Sequence, residues 1–193
     1  MTVTTSTQTT GAEAGAPGAS DGGCPVVLPV GRQGRDAVQP VPPLASLDEA
    51  SILVLDISKV RSDVFADAIQ AGLHAAGCAA VERGIAPPSQ RLADDELAAM
   101  GSAHDGAVLA LADCGTCTSW TMFDAIELHR NGCRTVLVTT RALRATVDAL
   151  APRLGMADLP VVEVALPNRE QTPDEIARTA SAAVPAIVAA LTS

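Results

Sequence analysis

Apolar and polar residues follow one another in a regular order from residue 51 onward. Five short apolar runs begin near residues 51, 78, 106, 134 and 159, and SILVLD and GAVLALAD are the two with the most continuous apolar character. Each run is followed by a stretch with helical spacing, such as SDVFADAIQAGLHAAG, whose apolar residues recur at intervals of three and four. The pattern predicts five strands that alternate with five helices.

Strand runs without polar alternation are typical of a parallel sheet that is covered on both faces. Short connections and the right-handed crossover rule then favour a doubly wound α/β fold, a five-stranded parallel sheet of flavodoxin-like order 2-1-3-4-5. The last helix has its own start signal, a capping box in which Thr172 is the cap, Pro173 takes the first helical position and Glu175 reaches back.

The first 50 residues differ from the rest. Residues 1–23 contain almost no large apolar side chain, so we expect a disordered tail. Residues 24–50 form a proline-rich, extended arm whose apolar residues, among them Leu28 and Leu44, are expected to cover the body or a second copy of the chain. Residues 51–193 then make a single α/β domain.

Composition limits the function. A net charge of −9 argues against nucleic acid and against an anionic membrane as partners. There is neither a run of about 20 apolar residues nor a secretory signal at the start, so we expect a cytoplasmic protein with reduced cysteines. The cysteines number five, an odd count that suits a disulfide scaffold poorly.

The candidate chemistry lies in two loops. In a 2-1-3-4-5 sheet, ligands bind beyond the carboxyl ends of strands 1 and 3, where the strand order reverses. Strand 1 ends in DISK, residues 56–59, and strand 3 ends in DCGTC, residues 113–117. A thiolate near a helix N-terminus has a lowered pKa, and C-x-x-C spacing lets one sulfur attack while the other resolves the mixed disulfide. The structural alternative is a tight turn with two buried cysteines.

Other chemistries fit the spacing less well. Structural zinc usually requires four ligands, and the chain has neither a second C-x-x-C nor an H-x-x-x-H, so we predict no metal site within the chain. A cysteine-phosphatase loop needs Arg six residues after the nucleophile, where Trp120 follows Cys114. No Gly-Lys-Ser/Thr phosphate loop is present. We therefore predict no cofactor other than an external thiol or disulfide.

LASLDEASILVLDISKVRSDVFADAI and GAVLALADCGTCTSWTMFDAIELHRNGCRTVLVTT resemble the UGSC family of selenoproteins and their cysteine homologues. Seven of the eight residues from Asp113 to Trp120 match the family loop Asp-Sec/Cys-Gly-Ser-Cys-Thr-Ser-Trp, and Thr116 replaces its Ser. The resemblance implies that Cys114 occupies the selenocysteine position and is reactive. The first loop departs from the family's Asp-Asn-Ser/Thr-Lys-Pro-Asn-Ala, because only Asp56, Ser58 and Lys59 are kept, which suggests a different substrate.

We assign Cys114 as the attacking thiolate and Cys117 as the resolving thiol, although the helix terminus alone would favour a lower pKa for Cys117. Asp113 is a candidate general base and Lys59 a candidate for stabilising the thiolate. The predicted substrate-binding residues are Asp56, Ser58, Thr116, Thr118, Ser119, Trp120 and Thr139. Thr118 and Ser119 are also expected to cap the third helix.

The remaining cysteines and histidines are expected to play no part in the chemistry. They are the surface residues His74, His104 and His129, the inert core residues Cys78 and Cys133, and Cys24 in the arm. Cys24 would reach the pair only if the arm folded over the site. The leading hypothesis is an enzyme that acts on a small molecule by thiol-based redox chemistry. One alternative is a non-redox lyase, hydrolase or isomerase with a cysteine nucleophile. The other is a non-catalytic metal or ligand carrier that uses both thiolates across an interface between subunits.

Overall fold

The computed structural model describes residues 37–165 and 168–193, and the predicted tail and the first part of the arm lie outside these residues. Five strands and five α-helices alternate along the described chain. They are β1 (Ser51–Asp56), α1 (Ser62–Ala75), β2 (Ala80–Ile85), α2 (Asp94–Ala103), β3 (Gly106–Ala112), α3 (Gly115–Arg130), β4 (Arg134–Thr140), α4 (Arg144–Leu150), β5 (Val161–Val164) and α5 (Pro173–Thr192).

The strands form one parallel sheet in the order β2-β1-β3-β4-β5, so the predicted fold is confirmed. Asp56, at the end of β1, pairs with Ile85 of β2 on one side and with Ala110 of β3 on the other. The register therefore places the end of β1 beside the end of β3. The loops that follow these two strands emerge at the same edge of the sheet.

Residues of β1 alternate between two apolar layers. Ile52 and Val54 pack into the layer of α1 and α5, whereas Leu53 and Leu55 pack into the layer formed largely by α2, α3 and α4. Burial of apolar surface at about 25 cal/mol per Å² is the main stabilising contribution to such layers. A sheet covered on both faces explains why its strands carry continuous apolar runs.

Helix α5 begins as predicted, because the Thr172 hydroxyl accepts the N–H of Glu175 while the Glu175 carboxylate accepts the N–H of Thr172. Among the described helices it alone is long and apolar enough to cross a membrane by length and composition. In the structure its apolar face lies in the core with α1. The buried residues of that face are Ile176, Ala180, Ala183, Val184, Ile187 and Leu191.

The described part of the arm, residues 37–50, lies against the domain. The N–H of Leu44 donates to the carbonyl of Leu191 over 2.9 Å, and the N–H of Val41 donates to Nε2 of His129 over 3.0 Å. Leu47 is buried in the core. Leu44 and Leu47 therefore cover apolar surface of the domain, while the arm as a whole stays a prediction.

Two histidines were wrongly expected at the surface. His129 is buried, with Nε2 accepting from Val41 and Nδ1 lying 3.3 Å from the Thr135 hydroxyl. Burial lowers the pKa of His129 to about 4, and the charge of Arg134 acts in the same direction. His104 is buried too, 2.9 Å from the Met100 carbonyl. Both rings lie near helix ends, and the segments that contact them are distant in sequence, which helical periodicity does not predict.

Candidate active site

The loop after β1 is held by its own side chains. The Asp56 carboxylate is buried, accepts the N–H of Ser58 over 2.8 Å and forms an ion pair with Arg83. The Ser58 hydroxyl donates to the carbonyl of Ala86 over 2.7 Å. Both predicted substrate-binding residues therefore have a clear structural role in shaping this loop.

Two residues of the same loop have left-handed backbone. The φ angles are 54° at Ser58 and 55° at Arg61, in a region that non-glycine residues rarely occupy. Contacts from elsewhere hold the conformation, since the Arg61 guanidinium donates to the carbonyl of Gln171 over 2.6 Å. The loop thereby joins the sheet edge to the segment before α5.

Cys114 and Cys117 form a disulfide at the start of α3, with 5.3 Å between their Cα atoms. Cys114 is the N-cap residue, and its sulfur accepts the N–H of Cys117 over 3.3 Å. Cys114 is partly exposed, whereas Cys117 is 2% exposed. The N–H groups at the helix terminus thus act on Cys114, which is also the more exposed of the two cysteines. The sequence had suggested that the helix terminus would favour Cys117 and that access would favour Cys114.

Thr118 and Ser119 do not cap α3, so that expectation was wrong. Their hydroxyls donate backward to the carbonyls of Cys114 over 2.8 Å and of Gly115 over 3.1 Å. The cap position belongs to the Cys114 sulfur, although serine and threonine are far more common there. Thr116 lies exposed in the first turn of the helix.

Asp113 lies between the sheet edge and the dithiol, partly exposed. Burial raises the pKa of the Asp113 carboxyl, while the N–H of Asn168 and the charges of Arg169 and Lys59 act to lower it. The Lys59 ammonium donates to the Ser89 hydroxyl over 2.7 Å. The site therefore combines a carboxyl, two cations and two sulfurs, and the segment before α5 contributes to it.

The last two predicted residues differ in access. The Thr139 side chain is buried and its hydroxyl donates to the carbonyl of Ala112 over 2.7 Å, so it supports the end of β3 from the next strand. Trp120 is 36% exposed, and its ring centroid lies 5.9 Å from that of Phe123. Trp120 is available to a ligand, whereas Thr139 supports the strand beneath.

A narrow cleft runs beside the dithiol between the loops after β1 and β2 and one face of α3. It is lined by Ile57, Lys59, Ala86, Pro87, Ser89, Gln90, Cys117, Trp120, Thr121 and Asp124. Cys117 reaches this cleft from its buried position. Sequence reasoning did not select Asp124, which is buried in the wall of the cleft and whose pKa burial raises to about 6.

The other described cysteines are free and buried, as predicted. Burial raises the pKa of the Cys78 thiol, and it raises that of Cys133 to about 12. Burial therefore disfavours the thiolate form of both residues. Cys24 lies outside the described residues.

Ligand atoms of Asp113, Cys114 and Cys117 lie within 4.8 Å of one another, a grouping that reduced sulfurs could offer to a soft metal ion. A phosphate cradle is less compatible with the loop after β1, where flavodoxin-like folds are open to ligands. The N–H groups of Ser58 and Lys59 already donate to Asp56 and to the Ser62 hydroxyl. The N–H groups of Ser58 and Lys59 are therefore not available to a phosphate at this loop.

The parallel sheet and the cysteine pair define an α/β protein with a disulfide at the switch point of a flavodoxin-like topology. The chain belongs to the UGSC family, whose model matches residues 25–193. The match includes both loops of the site and confirms the resemblance of the sequence. No curated protein matches the chain significantly.

Several solved structures are similar in fold. A flavodoxin-like domain from Synechococcus is 17% identical, with a TM-score of 0.42 over 72% of this chain and 96% of that one. An FMN-dependent NADH-azoreductase from Bacillus anthracis, solved with FMN, is 12% identical, with a TM-score of 0.42 over 74% and 100%. An NADPH-quinone reductase from P. pentosaceus is 13% identical, with a TM-score of 0.37 over 69% and 94%.

Proposed function

We propose that the chain is a thiol-dependent oxidoreductase that reduces small-molecule disulfides through Cys114 and Cys117. One observation carries the proposal: the partly exposed Cys114 sulfur sits at a helix N-terminus within bonding distance of a second, buried cysteine. Helix N-terminal N–H groups favour a thiolate over a thiol. A thiolate with access and a neighbour that can form a disulfide are the two requirements of a dithiol exchange site.

The reaction consists of two exchanges. The Cys114 thiolate attacks one sulfur of the substrate disulfide, forms a mixed disulfide and releases the first substrate thiolate. The sulfur of Cys117 then attacks Cys114, which forms the internal disulfide and releases the second thiolate. The substrate gains two electrons and the dithiol loses two. An external low-molecular-weight thiol returns the pair to the reduced state, so this role suits a reducing compartment such as the cytoplasm.

The charges around the pair support a substrate with an anionic group. Lys59 and Arg169 both act electrostatically on Asp113, which adjoins Cys114. Lys59 also lines the cleft with Trp120, whose exposed ring can cover an apolar part of the substrate. We assign substrate binding to these residues together with Ser58 and Thr116 at the edge of the site, and an acid–base or electrostatic role to Asp113.

The test starts from reduced full-length protein in a Cys24→Ser background, which removes the cysteine outside the described residues. Oxidised glutathione and hydroxyethyl disulfide are supplied with a thiol reductant, and turnover is followed by thiol release. Cys117→Ser should accumulate a mixed disulfide on Cys114, identified by peptide mass spectrometry. Absence of that adduct, with a rate no higher than that of a free small dithiol, contradicts the proposal.

The metal-carrier alternative has one observation in its favour, the grouping of Asp113, Cys114 and Cys117. The cationic side chains of Lys59 and Arg169 near Asp113, together with the helix N-terminus, disfavour a bound cation. Titration of the reduced protein with zinc or cadmium separates the two functions. Stoichiometric, tight binding that Asp113→Asn weakens would favour the carrier. A stable thioether adduct on Cys114 without disulfide formation would instead favour the non-redox nucleophile.

A further inference from the structure

Asp124 faces the same cleft as Cys117. It lies seven residues further along α3, which is two turns of helix, so the two side chains project from nearly the same face about 10 Å apart along the axis. Thr121 lies between them, and all three residues line the cleft.

The carboxylate of Asp124 is incompletely bonded. One oxygen accepts the N–H of Leu92 over 3.5 Å. The other oxygen is buried and, within the described chain, has no hydrogen-bond partner, although Nε of Arg91 lies 3.5 Å away. Buried acceptors without a partner are rare in folded proteins and usually indicate an ordered water or a ligand. Asp124 and Cys117 line the same cleft, so water in the cleft can lie between the two residues.

The charges that face Asp124 come from three elements. Burial raises its pKa to about 6, while the N–H of Leu92 and the Arg91 guanidinium lower it and the charge of Asp94 raises it. Lys59 lines the same cleft from the loop after β1. A carboxyl group that titrates close to neutral pH is well suited to accept and release protons.

We propose that Asp124 is the positioning residue that receives the proton of the buried Cys117 thiol, through water in the cleft, when Cys117 resolves a mixed disulfide on Cys114. This proposal rests on the proposed function. It names the residue that accelerates the second exchange, in which Cys117 attacks Cys114. As the Cys117 S–H bond breaks, its electron pair forms the bond to the Cys114 sulfur. The bond from Cys114 to the substrate sulfur breaks with its electrons, and the departing thiolate or solvent finally takes the proton from Asp124.

The experiment follows both exchanges in one protein. Reduced Cys24→Ser protein is mixed with the chromogenic disulfide dithiobis(nitrobenzoate). A first coloured thiolate is released as Cys114 forms the mixed disulfide, and a second as Cys117 resolves it. Stopped-flow absorbance gives both rates between pH 5 and pH 9 for the parent protein, Asp124→Asn, Asp124→Glu and the exposed control Asp148→Asn on α4.

We expect Asp124→Asn to slow the second release about 100-fold at neutral pH, the lower end of the roughly 100- to 10,000-fold that general acid–base catalysis typically contributes, and to leave the first release unchanged. The parent rate should rise through a step near pH 6 that Asp124→Asn lacks. The gap should narrow at alkaline pH, because hydroxide then removes the proton directly. Asp124→Glu should restore part of the rate, and Asp148→Asn should match the parent.

Equal second-release rates and pH profiles for Asp124→Asn and the parent overturn the inference while leaving the proposed function intact. If Asp124→Asn melts at a much lower temperature, the pH profile of the second release in the parent protein decides instead. A parent profile with no step near pH 6 overturns the inference. Failure of the first release in the parent protein is a different result. It removes the proposed function itself.

Discussion

The two edges of one sheet hold two kinds of cysteine. At the carboxyl edge, the Cys114 sulfur accepts a helix N-terminal N–H and is partly exposed. At the amino edge, Cys78 and Cys133 precede β2 and β4 and are buried, and the pKa of Cys133 rises to about 12. A cysteine is thus partly exposed or buried according to which end of a strand it adjoins, and under the proposed function only the exposed one is a nucleophile. Parallel strands make this distinction sharp, because all helix N-termini after strands face one edge.

The most direct test of this comparison removes one cysteine from each edge of the sheet. Cys114→Ser should reduce disulfide exchange by at least about 100-fold, because a hydroxyl is a far weaker nucleophile than a thiolate. Cys133→Ala should leave exchange unchanged. Thiol release assays and alkylation mapped by mass spectrometry at pH 7 give both results.

Alkylation also tests the assignment within the pair. Cys114 should be labelled rapidly in the Cys117→Ser protein, and Cys78 and Cys133 should stay unlabelled at neutral pH. If Cys117→Ser is inactive while Cys114→Ser keeps near-normal exchange, the order of the two sulfurs is reversed. If both variants keep full activity, the pair has only a structural role.

The amino edge should matter for stability rather than for chemistry. His129 lies there, buried and neutral, with a pKa lowered to about 4. The unfolded chain binds a proton near pH 6.5 that the folded chain excludes, so the free energy of unfolding should fall as pH drops from 6.5 toward 4. The loss is at most about 3.4 kcal/mol, at 1.36 kcal/mol for each unit by which the pKa is lowered.

Urea unfolding of the wild type and of His129→Gln at several pH values measures this effect. The glutamine carbonyl can still accept the Val41 N–H, so the variant isolates the titration. The difference between the two proteins should shrink between pH 7 and pH 4 or change sign. Parallel pH curves would contradict the assignment, and exchange activity should be similar in both proteins at neutral pH.

Lys59 offers a smaller and more specific test of the carboxyl edge. Lys59→Met should slow exchange by about fivefold at neutral pH and low salt, since it removes one cation near a partly exposed thiolate. The deficit should decrease as salt rises. Arg153→Gln removes an exposed cation elsewhere and serves as the control. Initial rates with an anionic and a neutral disulfide show whether Lys59 acts on the substrate or on the sulfur.

The smallest expected effect concerns the left-handed Arg61. Asparagine, which the UGSC family tends to have here, tolerates this conformation better than other residues. Arg61→Asn should change stability by less than about 1 kcal/mol, because the lost bond to Gln171 is offset by lower backbone strain. Arg61→Val should cost about 2 kcal/mol, since a β-branched residue fits that conformation poorly. Thermal melts of the two variants check the difference.

The sequence was sufficient for the parts of the molecule that follow from periodicity. The strand order and the position of the Cys pair follow from apolar runs of the right length and from the switch-point rule. The buried, inert state of Cys78 and Cys133 follows from their place before strands. In each case a local sequence pattern combines with a general rule of α/β topology. Little therefore has to be known about how the side chains pack.

The features of the site that the sequence did not predict depend on tertiary contacts and on an unusual helix cap. Asp124 reads as an ordinary polar residue of α3, and only the segment of Arg91 and Leu92 packed against it reveals a buried carboxyl. Asn168 adjoins Asp113 from a loop more than 50 residues away. The cap of α3 was misassigned to Thr118 and Ser119, because cap preferences describe hydroxyls and carboxylates and say little about sulfur.

The sulfur cap has a practical consequence for spectroscopy. The strength of a hydrogen bond depends on the charge of its acceptor, and the Cys117 N–H donates to the sulfur whose charge changes in each step of the proposed cycle. The amide resonance of Cys117 should therefore occupy distinct positions when Cys114 is a thiolate, a mixed disulfide or half of the internal disulfide. A single backbone proton, observed by NMR in isotopically labelled protein, then reports the oxidation state of the intact chain without a dye or a substituted cysteine.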